Sequence, residues 1–325
     1  YNGLTGVIVP IYHANYFFKK GYETSDLIQG KEKEGLWFSS SKFRNPNFPL
    51  RVAKSELGDW LSYFQVCVNL TRGVKKMHAM GLAHSDLSYN NVLIDPINKS
   101  ACIIDLDGLV VPGLFPAEVI GTPEYIAPEV LSTKHLSKTD SNRKLPNRLT
   151  DLHALPVLIY MFLLHRHPLK GGKVHDLDTE KDDLLSMGEK AMFIEHPTDE
   201  TNRPKLNQVS KWDLPWADIN QLPYSITGPY LKTLFDKVFI DGLHNPMQRP
   251  NAEEWEIALL KTTDLMQKCH NAACEQKWYV FDNTNTPKCP FCNTPHKGTL
   301  PVLDLYYQFQ ETVWKPENHR LMVYN

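Results

Sequence analysis

The sequence lacks any apolar run long enough to cross a membrane. Its longest strongly apolar stretch, Leu155 to Leu164, covers ten residues, whereas a membrane-spanning helix needs about 20. The chain also lacks an excess of charge of one sign, because 35 Lys and Arg residues face 37 Asp and Glu residues. We therefore expect neither an integral membrane protein nor a nucleic-acid-binding protein with a basic surface.

The first residues do not combine a charged start, an apolar core and a small-residue cleavage site, so secretion has no support and a cytoplasmic protein is expected. Hydrophobic residues make up 42% and charged residues 22% of the 325 residues. These fractions are close to the globular norm and exclude a disordered chain. The length predicts roughly two folded units.

Hydrophobic spacing predicts most of the regular elements. Apolar residues three or four apart predict a buried helix from Asp59 to Met80, with Asp59 as N-cap and Gly81 just past its end. Two short apolar runs, residues 91–94 and 101–104, predict a small hairpin with polar residues at its outer ends. A strand is predicted over residues 6–12, followed by a long connection with little regular structure over residues 13–58. Four further helices are predicted over residues 151–164, 180–192, 230–239 and 252–267, and two late strands over residues 300–310 and 320–324.

Three motifs follow one another in the middle of the chain. Asp86, in a His84-Ser-Asp86 sequence, precedes Asn91 by five residues, and Asp105 lies fourteen residues after Asn91. Residues 121–129 then read Gly-Thr-Pro-Glu-Tyr-Ile-Ala-Pro-Glu. Taken singly, each motif is more often a turn, a solvated loop or a helix cap than a site. In this order and at this spacing they resemble the catalytic loop, the metal-binding loop and the end of the activation segment of protein kinases.

The resemblance implies a protein-kinase-like α+β fold with a mainly helical large lobe. It equates the helix that begins at Asp151 with the central buried helix of the family, and it pairs Arg249 with Glu129. The resemblance extends from residue 6 to about residue 265. Residues 1–267 are accordingly predicted to form a kinase-like domain, with the hinge and the large lobe present and most of the small lobe absent.

The resemblance also implies phosphoryl transfer from ATP to serine or threonine hydroxyls of a protein substrate. In this reaction the protein mainly positions groups and neutralises charge. Asp86 would act as catalytic base, and Asn91 and Asp105 would offer Mg²⁺ the hard oxygen ligands that it prefers. The residues that the resemblance expects to contact the nucleotide are Val9, Ile11 and Tyr12 in the hinge, Leu93 at the floor of the nucleotide pocket, and Ile104 next to the metal loop.

Several positions depart from the kinase pattern. No glycine-rich loop or strand lysine precedes the hinge, and Lys54, which lies after it, is not equated with that lysine. Ser85 and Ser88 stand where the catalytic loop has its arginine and second basic residue, and Asp107 replaces the metal-loop glycine. A pseudokinase that binds nucleotide or serves as a scaffold is therefore the alternative. Residues 108–120 contain no Ser, Thr or Tyr, so phosphorylation there is not expected to regulate the protein.

Four of the six cysteines crowd together near the end of the sequence: Cys269, Cys274, Cys289 and Cys292. Without a secretory signal, two cysteine pairs in turn-prone sequence predict a metal site before a disulfide framework. The Cys289-Pro-Phe-Cys292 pair resembles a zinc knuckle, and residues 268–297 resemble a zinc ribbon with one structural Zn²⁺. His270 and His296 are alternative ligands, and free thiols or a redox disulfide are the alternative states.

Residues 298–325 are predicted to form a C-terminal strand segment. The combination of motifs resembles bacterial eukaryotic-like Ser/Thr kinases with an appended zinc ribbon. Some of these have phosphatase or metal-binding partners linked to tellurium resistance, which are the partners the resemblance implies besides ATP and a protein substrate. A zinc-ribbon protein that binds nucleic acid is a third interpretation, which the charge balance disfavours.

Overall fold

The structure is a computed structural model that describes residues 11–19, 23–111, 114, 121–137, 139–283, 285–300 and 302–322. Most of the strand predicted over residues 6–12 falls outside these ranges. The two described residues of that segment, Ile11 and Tyr12, belong to no helix or strand.

The described α-helices are α1 (Leu36–Ser39), α2 (Lys54–Leu57), α3 (Trp60–Ala79), α4 (Pro128–Ser132), α5 (Arg148–Leu164), α6 (Thr179–Met187), α7 (Pro229–Asp236) and α8 (Ala252–Thr263). The strands pair two by two in antiparallel hairpins: β1 (Val92–Asp95) with β2 (Ser100–Ile103), β3 (Met266–Lys268) with β4 (Trp278–Val280), and β5 (Val302–Gln310) with β6 (Val313–Met322). Helices thus form most of the kinase-like part, as predicted.

Helix α3 matches its prediction to within one residue at each end. The Asp59 carboxylate accepts a hydrogen bond from the backbone N–H of Ser62 at 3.0 Å, which satisfies one of the unpaired donors of the first turn. Gly81, just past the helix, has a φ of 79°, which allows the chain to leave in a left-handed conformation. The apolar face of α3 packs on α5, α8 and β2.

Helix α5 is the central helix of the core, and every residue from Thr150 to Leu164 is buried. It begins at Arg148, three residues before the predicted start, because Asn147 caps it by accepting from the Leu149 N–H at 2.8 Å. Pro156 lies inside the helix. Among the described residues, no helix combines the length and the apolar composition needed to cross a membrane.

Several other predictions differ from the structure. Residues 13–58 contain two short helices and a buried aromatic group, Trp37, Phe38 and Phe43, so this connection is more structured than expected. Helix α8 ends at Thr263 instead of residue 267, because the following residues pair with β4 as a strand. Helix α6 ends at Met187 instead of residue 192. Strand β6 begins at Val313, seven residues before its predicted start at 320.

The segment predicted as a zinc ribbon lies against the helical core. Val280 of this segment, and Met266 just before it, belong to the same buried cluster as the aromatic residues of α3 and α5, and the partly buried Phe291 packs against that cluster. The four cysteines share a second, smaller cluster with Tyr279 and Phe281. The domain boundary at residue 267 stays a prediction.

Candidate active site and four-cysteine centre

Hydrogen bonds hold the Asp86 carboxylate from two sides. The side-chain amide of Asn91 donates to Asp86 Oδ2 at 3.1 Å and to the Asp86 carbonyl at 2.8 Å. The backbone N–H and the hydroxyl of Thr122 donate to Asp86 Oδ1 at 2.7 and 2.9 Å. These bonds fix the orientation of a half-buried carboxylate at the protein surface, which is the geometry a general base needs.

A buried carboxylate of the central helix holds the backbone before Asp86. Asp151 lies in the first turn of α5, and its Oδ2 accepts the His84 backbone N–H at 2.9 Å. The same oxygen accepts from Nε2 of His78, in the last turn of α3, at 3.0 Å. Helices α3 and α5 and the loop that carries Asp86 therefore meet at one atom.

The hairpin of β1 and β2 brings the two predicted magnesium ligands together. Val92 pairs with Ile103, and the Ile104 N–H donates to the Asn91 carbonyl at 2.9 Å, so Asn91 and Asp105 flank the open end of the hairpin. Asn91 uses its amide NH₂ on Asp86, which leaves its carbonyl oxygen for a metal. An amide oxygen and an exposed carboxylate fit the ligand preference of Mg²⁺.

Two residues of this region have left-handed backbone conformations that are uncommon outside glycine. Asp105 has φ 58° and ψ 53°, and Ser85 has φ 65°. Ser85 Oγ donates to the Gly108 carbonyl at 2.9 Å, and His84 Nε2 donates to the Ile104 carbonyl at 2.9 Å. Such conformations often mark functional sites, and these bonds tie the loop of Asp86 to the loop of Asp105.

The predicted nucleotide-contacting residues occupy different environments. Leu93 is fully buried, Ile104 is half-buried and the Ile11 side chain is 90% exposed. Burial raises the pKa of Tyr12, and nearby negative groups, Asp105 and Asp107 among them, raise it further. Val9 lies outside the described residues, and the contacts of all five residues with adenine stay predictions.

The predicted ion pair between Arg249 and Glu129 is confirmed. Arg249 Nη1 and Nη2 donate to Glu129 Oε1 and Oε2, both at 2.8 Å, and the arginine side chain is fully buried. Arg249 also donates to the carbonyls of Gly242, Leu149 and Leu243. This pair joins the end of the activation segment to the turn before α8.

A model of the protein kinase domain family matches residues 58–271, which is more than half of the chain. This chain belongs to the protein kinase family. The matched range contains Asp86, Asn91 and Asp105, and it ends inside the segment predicted as a zinc ribbon.

Curated kinases resemble this kinase chain over limited parts of their length. The chain is 26% identical to the serine/threonine-protein kinase PknD of Chlamydia abortus over 194 residues, which cover 52% of this chain and 19% of that protein. It is 32% identical over 81 residues to the dual serine/threonine and tyrosine protein kinase of Apis mellifera, which cover 25% of this chain and 8% of that protein. The human protein of that name is 32% identical over 76 residues, which cover 23% of this chain and 8% of the human protein. The chain therefore spans at most 19% of the length of these relatives.

Ser88 gives this member of the protein kinase family an unusual catalytic loop. Its side chain is fully buried, and its hydroxyl lies 3.1 Å from the Thr122 hydroxyl, which also contacts Asp86. The loop therefore supplies no ammonium group at this position. The sequence did not reveal the contact of Thr122 with Asp86, because the two residues lie 36 positions apart.

The four cysteines form a group whose size fits one zinc ion. Their sulfur atoms all lie within 4.8 Å of one another. Cys269 Sγ is 3.5 Å from Cys292 Sγ, and Cys274 Sγ is 3.8 Å from Cys289 Sγ. A tetrahedron with Zn–S bonds of about 2.3 Å separates its sulfur atoms by about 3.8 Å. The cluster therefore has the ligand type, number and spacing of a structural zinc site.

The two histidines considered as alternative ligands lie beside this group. Among the described residues, the group of ligand atoms close enough to share one metal contains the four cysteines and neither histidine. His296 Nδ1 is hydrogen-bonded to the Tyr279 hydroxyl at 3.0 Å, and the His270 and His296 rings meet edge to face at 4.8 Å. The geometry favours the four-thiolate set.

Proposed function

We propose that this protein is an ATP-dependent serine/threonine protein kinase. The observation that carries the proposal is the Asp86 carboxylate, which Asn91 and Thr122 orient beside the metal-binding loop. Asp86 accepts the proton of the substrate hydroxyl as that oxygen attacks the γ-phosphate. The substrate is a serine or threonine side chain of a protein.

Asn91 and Asp105 are the proposed Mg²⁺ ligands. Bound Mg²⁺ would neutralise charge on the β- and γ-phosphates of ATP. The Asn91 amide could serve both functions, because its NH₂ group orients Asp86 and its oxygen would be available to hold the metal. Leu93 and Ile104, with the hinge residues Val9, Ile11 and Tyr12, are the proposed nucleotide contacts.

A pseudokinase is the second candidate function, and Ser88 is the observation that favours it. A buried serine replaces a cation near the transferred phosphate, and loss of that charge removes stabilisation of the transition state. The two candidates differ in turnover and agree in nucleotide binding.

Labelling with γ-labelled ATP separates the two candidates. An active kinase labels itself or a generic protein substrate, and Asp86→Asn abolishes the label while Mg²⁺-dependent nucleotide binding persists. Binding of MgATP by the wild-type protein without any label, under conditions where an authentic kinase labels the substrate, would support the pseudokinase.

The four cysteines are proposed to bind one structural Zn²⁺ within a zinc ribbon at residues 268–297. With four thiolates on the metal, no coordination position remains for catalysis. We further propose a cytoplasmic protein of the bacterial eukaryotic-like kinase type, with a phosphatase or a metal-binding protein as partner. These finer assignments rest on the resemblance of the motifs.

A further inference from the structure

We infer that Phe291, the aromatic residue inside the Cys289–Cys292 turn, is a positioning residue for the catalytic loop. The inference rests on the proposed zinc site and kinase activity, because the thiolates set the conformation of this turn and the loop carries Asp86. The Phe291 ring contacts Trp60 and Trp216, neither of which belongs to the loop of Asp86, so it acts on that loop through other residues.

The first step is an aromatic contact between the cysteine segment and α3. The Phe291 ring meets the Trp60 ring edge to face, with centroids 4.9 Å apart, and it lies 5.6 Å from the Trp216 ring. Trp60 is fully buried, and Phe291 packs against both the main core and the cysteine cluster. Such ring pairs contribute beyond the area that they bury.

The second step joins Trp60 to the end of the central helix. The Trp60 backbone N–H, in the first turn of α3, donates to the Gln276 carbonyl at 3.1 Å. Its indole N–H donates to the Leu163 carbonyl, in the last turn of α5, at 3.0 Å. The Trp60 backbone N–H at the start of α3 and the Leu163 carbonyl at the end of α5 are groups that a helix leaves unpaired at its ends. One residue therefore links the cysteine segment, the start of α3 and the end of α5.

The third link in this chain of contacts is the Asp151 carboxylate, which lies at the opposite ends of α3 and α5. His78 of α3 and the His84 backbone N–H both donate to the carboxylate of Asp151 in α5. Asp151 and Leu163 are separated by about 18 Å at a rise of 1.5 Å per residue. A small axial shift of α5 after loss of the Phe291 contact would displace Asp151, and with it His84, two residues before Asp86.

Phe281 provides a matched control within the same segment. Its ring packs on Tyr279 and His296, with centroids 6.4 and 5.0 Å away, and it belongs to the cysteine cluster. Removing the Phe281 ring therefore perturbs the cysteine segment without deleting the contact with Trp60.

The experiment compares Phe291→Ala, Phe291→Leu and Phe281→Ala in the 325-residue chain. Zinc content, kcat, KM for ATP and amide hydrogen exchange are measured for each variant. We expect Phe291→Ala to keep its zinc, to lower kcat and to speed exchange of the His84 amide by about 2- to 30-fold, with little change in KM. The Leu259 amide in α8 should change less, and Phe291→Leu should recover most of both effects.

Metal removal gives a second, non-additive readout. Chelation should speed His84 exchange in wild type at least as much as Phe291→Ala does, because loss of zinc breaks the Phe291 contact with Trp60 and the Gln276 contact as well. In chelated protein, Phe291→Ala should therefore add little further acceleration. If Phe291→Ala speeds amide exchange equally at His84 and Leu259, Phe291 has only a global structural role and the inference is overturned. An unchanged exchange rate of the His84 amide would also overturn it. Amide exchange needs no turnover, and zinc content is measured separately. A protein without activity would refute the proposed kinase function, and a metal-free protein would refute the proposed zinc site. In either case the exchange result for Phe291→Ala stays interpretable.

Discussion

Arg249 and Glu129 form a bidentate ion pair, with both N···O distances at 2.8 Å, across 120 positions of sequence. The arginine side chain is fully buried, whereas the glutamate side chain is 22% exposed. A buried charge that loses its partner is costly, because neither water nor another anion replaces it. The pair therefore fixes the end of the activation segment against the turn before α8.

We expect Arg249→Met to destabilise the protein by about 3–5 kcal/mol, the usual cost of breaking a buried pair. Urea unfolding followed by circular dichroism measures the change. The double variant Arg249→Met with Glu129→Leu should recover part of the loss, because it leaves no unpaired carboxylate. A single variant as stable as wild type would show that the pair has no structural role.

Thr122 should matter to turnover more than to folding. Its hydroxyl donates to Asp86 Oδ1, and removal of one such bond to a charged group costs about 1.5–3 kcal/mol. We expect Thr122→Val to lower kcat by about tenfold or more, and Thr122→Ser to retain most activity because it keeps the hydroxyl. Turnover of γ-labelled ATP measures both variants. Equal activity of the valine and serine variants would remove Thr122 from the catalytic arrangement.

Asp105 and Asp107 offer a direct test of the metal-loop alignment. Asp105 lies directly after Ile104 at the open end of the hairpin, whereas Asp107 lies in the turn that follows. Asp105→Ala should therefore weaken Mg²⁺-dependent nucleotide binding more than Asp107→Ala does. Titration calorimetry with and without Mg²⁺ measures the difference. A stronger effect at Asp107 would shift the alignment of this loop by two residues.

The sequence was sufficient for those parts of the site that local chemistry determines. The Asp59 cap of α3 and the hairpin that brings Asn91 next to Asp105 follow from residues a few positions apart. The contacts of Thr122 with Asp86 and of Phe291 with Trp60 join distant segments. No local pattern encodes such contacts, so they required the structure.

The misplaced element boundaries have two physical causes. Apolar spacing continues past Thr263, but the chain gains more by pairing Met266–Lys268 with β4 than by extending α8. Strand β6 contains Pro316 and several polar residues, and its described side chains are exposed. A strand without a buried face has no alternation of apolar and polar residues, and periodicity therefore does not reveal it.

Acid should destabilise the kinase lobe through buried imidazoles. Burial lowers the pKa of His153 and of His165 well below the usual value, and it lowers the pKa of His167 to about 4. In the unfolded chain these groups titrate near pH 6.5. The unfolded state thus binds more protons below that pH, and stability falls as the pH drops from about 6.5 toward 4. Each histidine contributes a slope of up to about 1.4 kcal/mol per pH unit.

His153→Leu tests this slope most directly, because neither ring nitrogen of His153 has a hydrogen-bond partner among the described residues. Unfolding free energies between pH 7 and 5 should depend less steeply on pH in His153→Leu than in wild type. His135→Gln, at an exposed position, should leave the slope unchanged. An identical slope in all three proteins would show that His153 does not gain a proton on unfolding.

Cys289→Ser tests the zinc centre and its connection to the lobe together. Wild type should retain one zinc per chain through dialysis, and Cys289→Ser should lose it, since zinc binding of a small ribbon contributes on the order of 10 kcal/mol or more to its folding. Proteolysis of the variant should then cleave within residues 268–297. The helical lobe should remain folded on its own core, but with a lower unfolding midpoint because the Phe291 and Gln276 contacts with Trp60 are lost.

Cys102→Ser is the matched control, because Cys102 is a half-buried cysteine in β2, outside the cysteine group. This variant should keep its zinc. A metal-free wild type with a protease-resistant C-terminal segment would contradict the zinc assignment, and collapse of the whole chain in Cys289→Ser would contradict the boundary near residue 267.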